Sequence, residues 1–224
     1  MNPIKHIPNL LTSANLFCGC VGIVFCFNGE LTLSVYLIWL AMLFDFSDGF
    51  AARLLKVSSP IGKQLDSLAD MVTFGLLPSV ILFQLLSAHV DNYLPYMAFL
   101  VAIFSALRLA KFNVDENQET VFIGLPTPAN ALFLSSLIFV FDQYPVFNNV
   151  WIIIGITVVF SLLLVAPVEL MALKFKNYSW KDNSTRFLFL TLSIIFIIVF
   201  KLVAMPLIIL AYLLMSLFTK PSHS

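Results

Sequence analysis

Long apolar runs, parted only by short polar breaks, fill this 224-residue chain almost from end to end. A run of about 20 apolar residues can satisfy its own backbone groups away from water only as a helix, so such runs fold as membrane spans packed side by side. Composition agrees. The chain is 60% hydrophobic and 11% charged, whereas soluble domains hold about 45–50% and 25%. Its mean hydropathy is +0.98. No stretch is polar and long enough to fold as a separate soluble domain, so residues 1–224 read as one transmembrane domain. Net charge is zero and no basic run occurs, which argues against a nucleic-acid partner.

The expected fold is all-α, a polytopic integral membrane bundle of about eight transmembrane helices, six of them forming the core. The spacing predicts helices at about 10–28, 31–56, 65–88, 93–112, 127–142, 148–173, 184–200 and 203–218. The first run follows Lys5 without a clear small-residue cleavage site, so it reads as a retained helix. Its cysteines, Cys18, Cys20 and Cys26, read as small packing residues. The core of the bundle is expected over about 8–170 and a helical hairpin over about 184–218, broken near Lys201 and Pro206, because one straight helix from 187 to 218 would be about 48 Å long.

Eight helices put Lys5, Arg53, Lys56, Lys63, Arg108, Lys111, Lys174, Lys176, Lys181, Arg186 and Lys220 on one side and Lys201 on the other. Positive residues favour the cytoplasm, so the Asp45–Asp70 connection and both termini are expected there, in the cell membrane. A seven-helix version moves only Lys220 across.

Inside this oily chain stands a polar segment. It reads Asp45-Phe-Ser-Asp48-Gly49-Phe-Ala-Ala52-Arg53, then eight residues, then Gly62-Lys-Gln-Leu-Asp66-Ser-Leu-Ala-Asp70. Acids at membrane depth cost about 2.5–3.5 kcal/mol each on insertion scales unless paired or metal-bound. Asp45, Asp48 and Ala52 fall at i, i+3 and i+7 on the second helix, and Asp66 and Asp70 at i and i+4 on the third. A connection containing Pro60 and Gly62 joins them, so both faces can aim at one pocket. Oxygen-only donors suit a hard cation, Mg²⁺ or Mn²⁺. A metal pair can orient a pyrophosphate and stabilise attacking and leaving oxygens. Gly49 and Ala52 leave room for a flat base or sugar, and Arg53 offers a forked phosphate donor. The competing use of such acids is ion conduction, as in a divalent-cation transporter.

The pattern D-x2-D-G-x2-A-R-x8-G-x3-D-x3-D resembles the signature of the CDP-alcohol phosphotransferase family at every position. Further stretches are similar to its CDP-diacylglycerol–serine O-phosphatidyltransferase branch: Pro8 to Asn15, Leu65 to Gly75, Arg108 to Asn113, and Phe122 to Pro128. The resemblance spans about residues 8–131. Lys111 departs from it, where that branch more often carries arginine.

The resemblance implies that Asp45, Asp48, Asp66 and Asp70 hold two metal ions, and that Asp70 doubles as general base. It implies that Asp48, Gly49, Ala52, Arg53 and Gly62 contact the cytidine nucleotide. The substrates it implies are CDP-diacylglycerol, or an ether-lipid analogue, and L-serine, with CMP released by direct displacement. It also implies a homodimer. Other acceptors, glycerol 3-phosphate or inositol phosphate, remain open at this stage. Thr12 and Asn15 either bond between helices or border the nucleotide pocket. Arg108 and Lys111 either anchor a helix at the cytoplasmic face or bind the serine carboxylate. Pro126 and Thr127 start the fifth helix or shape the acceptor pocket. Lys63 reads as solvated, and His6, His89 and His223 lack metal-ligand spacing.

Overall fold

A computed structural model describes residues 6–57, 59–114, 124–168, 170–171 and 180–218. Eight helical rods occur among the described residues, and no strand. They are α1 (Ile7–Phe27), α2 (Leu31–Leu55), α3 (Pro60–Ser87) and α4 (Leu94–Val114), followed by α5 (Thr127–Gln143), α6 (Val150–Val165), α7 (Trp180–Phe200) and α8 (Ala204–Phe218). Five stretches are long and apolar enough to cross a membrane: α1, α2, α3, α4 and the α7–α8 stretch Asn183–Leu217 taken as one. The chain is a polytopic helical membrane bundle. Apolar side chains such as Leu43, Phe46, Ile198 and Leu217 stay exposed on its outside, as a lipid-facing surface requires.

Two clusters make the core. One gathers Cys18, Val35, Ile38, Phe74, Leu77 and Ile81 where α1, α2 and α3 meet. The other joins α3 to α4, α5, α6 and the C-terminal hairpin through Leu82, Val101, Leu134, Ile153, Phe160 and Tyr212. Helix α1 lies very close to α3. A Cβ on Gly19 would come 2.3 Å from Thr73 Oγ1, and one on Gly22 would come 2.5 Å from Leu77 Cδ2. In place of those side chains, Thr73 Oγ1 donates to the Asn15 carbonyl at 3.1 Å. This close approach brings Thr12 and Asn15 against the acidic helices.

The structure departs most from the sequence-based reading at four points. Helix α3 starts at Pro60, not near 65, because Ser59 caps it by accepting from the Gly62 amide at 2.9 Å, and proline suits the first helical position. Pro60 and Gly62 therefore stand in a helical turn, not in the connection. Within α3, residues Met71–Leu76 form a π-helical turn directly after Asp70. Helix α6 stops at Val165 rather than near 173. Its end is capped from afar: Leu125 N donates to the Leu163 carbonyl, and Gly124 N to the Val168 carbonyl, each at 2.9 Å. Finally, the expected break in the hairpin falls at Lys201–Val203, a 3₁₀ turn with Lys201 at φ 51°, while Pro206 lies inside α8. The arms fold back on each other, with Phe189 and Tyr212 ring centroids 5.9 Å apart. Lys5, Asp115, Glu116, Glu119, Phe122, Ile123, Lys174, Lys176, Lys220 and His223 lie outside the described residues, as does the side chain of Lys181.

Candidate active site

Helices α2 and α3 run antiparallel and bring their acids together in two layers. Asp48 and Asp66 lie nearer the helix ends. Asp45 and Asp70 lie one turn deeper, Asp45 preceding Asp48 and Asp70 following Asp66. Ligand oxygens of Asp45, Asp48 and Asp66 all fall within 4.8 Å of one another. Asp70 is buried, at 8% exposure, and interacts electrostatically with Asp45, Asp66 and Asp48. Three of the four acids read from the sequence thus converge, and the fourth, Asp70, interacts with them electrostatically.

Two α1 side chains orient these acids. The Thr12 hydroxyl lies 2.5 Å from Asp48 Oδ2 and donates to it, and Asn15 Nδ2 donates to Asp70 Oδ1 at 3.2 Å. Thr12 and Asn15 therefore bond between helices at the acidic cluster, and Thr12 also lines the cavity in front of it. Carboxylates this close repel one another unless a cation or a proton stands between them. Oxygens around one Mg²⁺ or Mn²⁺ sit about 3–4 Å apart, given metal–oxygen distances of about 2.0–2.1 Å. The donor set and its spread fit such an ion with small side-chain rotations.

In front of the acids opens a cavity of about 600 Å³. Asp48, Gly49 and Ala52 line one wall, Gly62 and Asp66 another, and Thr12 a third. Gly49 meets open space, so a side chain there would project into the cavity. Arg53 is placed differently. It is exposed, and its Nε donates to the Gly49 carbonyl of its own helix at 3.0 Å. Reading the sequence missed other walls. His6, Asn9, Lys56 and Lys63 all line the cavity, Lys63 included although it reads as solvated. The spacing of Asn9 and Thr12, i and i+3, was the available signal for the first turn of α1. Lys56 enters because α2 ends on it in the left-handed conformation, φ 52°.

Arg108 and Lys111 part company. Lys111 is exposed. Arg108 is half-buried, interacts electrostatically with Asp70, and donates from Nη1 to Thr127 Oγ1 at 2.9 Å. Pro126 precedes Thr127, and its carbonyl accepts from the backbone N–H of Asn130 at 3.0 Å. The far end of α4 is tied to α3, where Asn113 Nδ2 donates to Ser67 Oγ at 2.9 Å.

Fold and site together define a membrane bundle with an oxygen-donor cluster beside a cavity of nucleotide size. The model of the CDP-alcohol phosphatidyltransferase family matches residues 5–163. The chain belongs to that family, and is a membrane transferase of phospholipid biosynthesis. It is 29% identical over 201 residues to a CDP-diacylglycerol–serine O-phosphatidyltransferase of Helicobacter pylori, covering 88% of this chain and 84% of that protein. With the protein of that name in Bacillus subtilis the identity is 36% over 144 residues, 62% of this chain and 78% of the other. An archaetidylserine synthase of Methanothermobacter thermautotrophicus is 32% identical over 168 residues, 73% and 68% of the two chains.

Proposed function

We propose that this protein transfers the phosphatidyl group of CDP-diacylglycerol, or of an ether-lipid analogue, to the hydroxyl of L-serine, releasing CMP. One observation carries the reading: Asp45, Asp48 and Asp66 converge within 4.8 Å at the edge of a cavity, with buried Asp70 behind them. The names of the relatives support serine as acceptor, and so does half-buried Arg108, which interacts electrostatically with Asp70, since a guanidinium pairs well with a carboxylate.

In this reading Asp45, Asp48, Asp66 and Asp70 hold Mg²⁺ or Mn²⁺, two ions in all. When bound, the metal supplies Lewis-acid polarisation of phosphorus and charge relief on the departing nucleotide. The remaining work belongs to side chains. Gly49, Ala52 and Gly62 admit the cytidine moiety, with Thr12 holding Asp48 in place. Lys56 and Lys63 face the phosphates from the cavity wall, and Arg53 reaches them by turning off its own helix. Asn15 fixes one oxygen of Asp70, leaving the other to take the proton of the serine hydroxyl. The serine oxygen then bonds to the phosphorus that bears diacylglycerol, and the bond from that phosphorus to CMP breaks. No covalent enzyme intermediate is needed. Arg108, with Thr127 beneath it, holds the serine carboxylate, while Lys111 and Pro126 bound that side. The excess of positive residues at this end of the bundle favours a cytoplasmic active site in the cell membrane.

The test is purified protein given CDP-diacylglycerol with serine, glycerol 3-phosphate or inositol phosphate in turn, with Mg²⁺, Mn²⁺ or EDTA. CMP release with serine, dependent on metal and accompanied by phosphatidylserine, is expected. Preference for a phosphorylated acceptor, or full activity in EDTA, overturns the reading.

A further inference from the structure

Asn130 on α5 is wholly buried, and neither polar atom of its amide has a hydrogen-bond partner. Each buried, unpaired polar atom costs about 1–3 kcal/mol. Such a residue persists in a helix bundle when something else pairs with it. Its position says what. Asn130 lies one turn beyond Thr127 on the same side of α5, and Thr127 receives the bond from Arg108. Arg108 Nε is itself buried and unpaired. So is the hydroxyl of Ser105, one turn before Arg108 on α4. Arg108 interacts in turn with Asp70. Unpaired polar atoms on α4 and α5 therefore lie one turn to either side of the Arg108–Thr127 bond.

They divide by sign. Arg108 offers donors only, which suit a carboxylate. Asn130 Oδ1 and Ser105 Oγ offer lone pairs, which suit an ammonium group, while the Asn130 NH2 and the Ser105 O–H can also donate. A free amino acid carries both charges and would pair all of these atoms at once.

We propose that Asn130 is a specificity residue for the acceptor: its Oδ1 accepts a hydrogen bond from the α-ammonium group of serine, whose carboxylate lies on Arg108. The inference rests on the serine reading above and adds to it a site that tells serine from the same molecule without nitrogen.

The test uses the full-length protein in detergent, with Asn130→Leu, which keeps the size and removes both polar atoms, and Asn130→Ala as a milder change. The KM for serine is expected to rise about tenfold or more, the loss of one well-made polar contact. The Ki of 3-hydroxypropanoate, which is serine without its ammonium group, and the KM for CDP-diacylglycerol should stay unchanged. Thermal stability should hold or rise in Asn130→Leu, because an unpaired amide has been removed. A merely structural asparagine gives the reverse: lower melting temperature, with serine and 3-hydroxypropanoate weakened together. That result, or an unchanged serine KM, overturns the proposal. Wild-type protein that releases no CMP with serine overturns the acceptor reading itself. Wild-type protein active on serine, with both ligands weakened equally in the variants, overturns only the role of Asn130.

Discussion

Asp70 and Arg108 are the two residues on which the proposed chemistry turns, and their surroundings separate their roles. Asp70 sits a turn deeper than Asp66, and Asn15 holds one of its oxygens. Replacing it with asparagine keeps size and that contact partner but removes the base. Asp70→Asn is expected to lower kcat by about 10²–10⁴-fold, the usual range for a lost general base, while equilibrium binding of CDP persists. Unimpaired turnover in that variant would sink the assignment. Arg108 is bonded to Thr127 through one arm and has its Nε free of partners. Lysine keeps the charge and loses the fork. Arg108→Lys should therefore raise the KM for serine several-fold and leave that for CDP-diacylglycerol alone, and steady-state kinetics against each substrate separates the two. The acids themselves were readable from spacing. Asn130 was not, because nothing in an apolar run marks which side chain the bundle will leave without a partner.

At the scale of elements, two local irregularities set the site. The π-helical turn Met71–Leu76 follows Asp70 immediately and rotates the rest of α3 relative to the acids. It lies where space is tight: a Cβ on Gly75 would meet Ser105 Cβ at 3.0 Å and Met71 Sδ at 3.2 Å. The second irregularity is the segment Gly124–Pro126, clamped to the end of α6 by its amides. Gly124 has φ 76°, and a Cβ there would stand 2.5 Å from the Leu164 carbonyl oxygen. Neither alanine's backbone preference nor its size fits. Gly124→Ala should destabilise the protein by about 1–3 kcal/mol. It should also loosen Thr127 beneath Arg108, so the serine KM rises along with the fall in melting temperature. A variant with wild-type melting and kinetics would show that the clamp positions nothing. Both features depend on partners far away in sequence. A period-3.6 pattern reads through a π turn, and the α6 cap joins residues some forty positions apart, so neither was legible beforehand.

For the whole molecule, charge and depth decide which way the bundle lies. The acidic cavity shares one end of the bundle with Lys56, Lys63 and the Asn113 end of α4. The opposite end carries Tyr93, 88% exposed. In a cysteine-free background, a membrane-impermeant maleimide applied to intact cells should label Tyr93→Cys and spare Gln64→Cys. The reverse pattern would place the active site outside the cytoplasm. The sequence by itself determined the class of fold, because a chain this apolar can satisfy its backbone only as packed helices. It also determined the acidic cluster, because helical periodicity puts residues three and four apart on one face whatever surrounds them. Tertiary structure alone decided which residues join that cluster. Thr12 and Asn15 reach the acids because Gly19 and Gly22 let α1 close on α3. Arg108 is half-buried because Thr127 stands against it, whereas Lys111, one turn nearer the end of α4, is exposed. The side chain of Asn130 is left unpaired one turn beyond Thr127 for a similar reason: whether a polar group finds a partner depends on the helices packed around it, and sequence spacing holds no information about those distances.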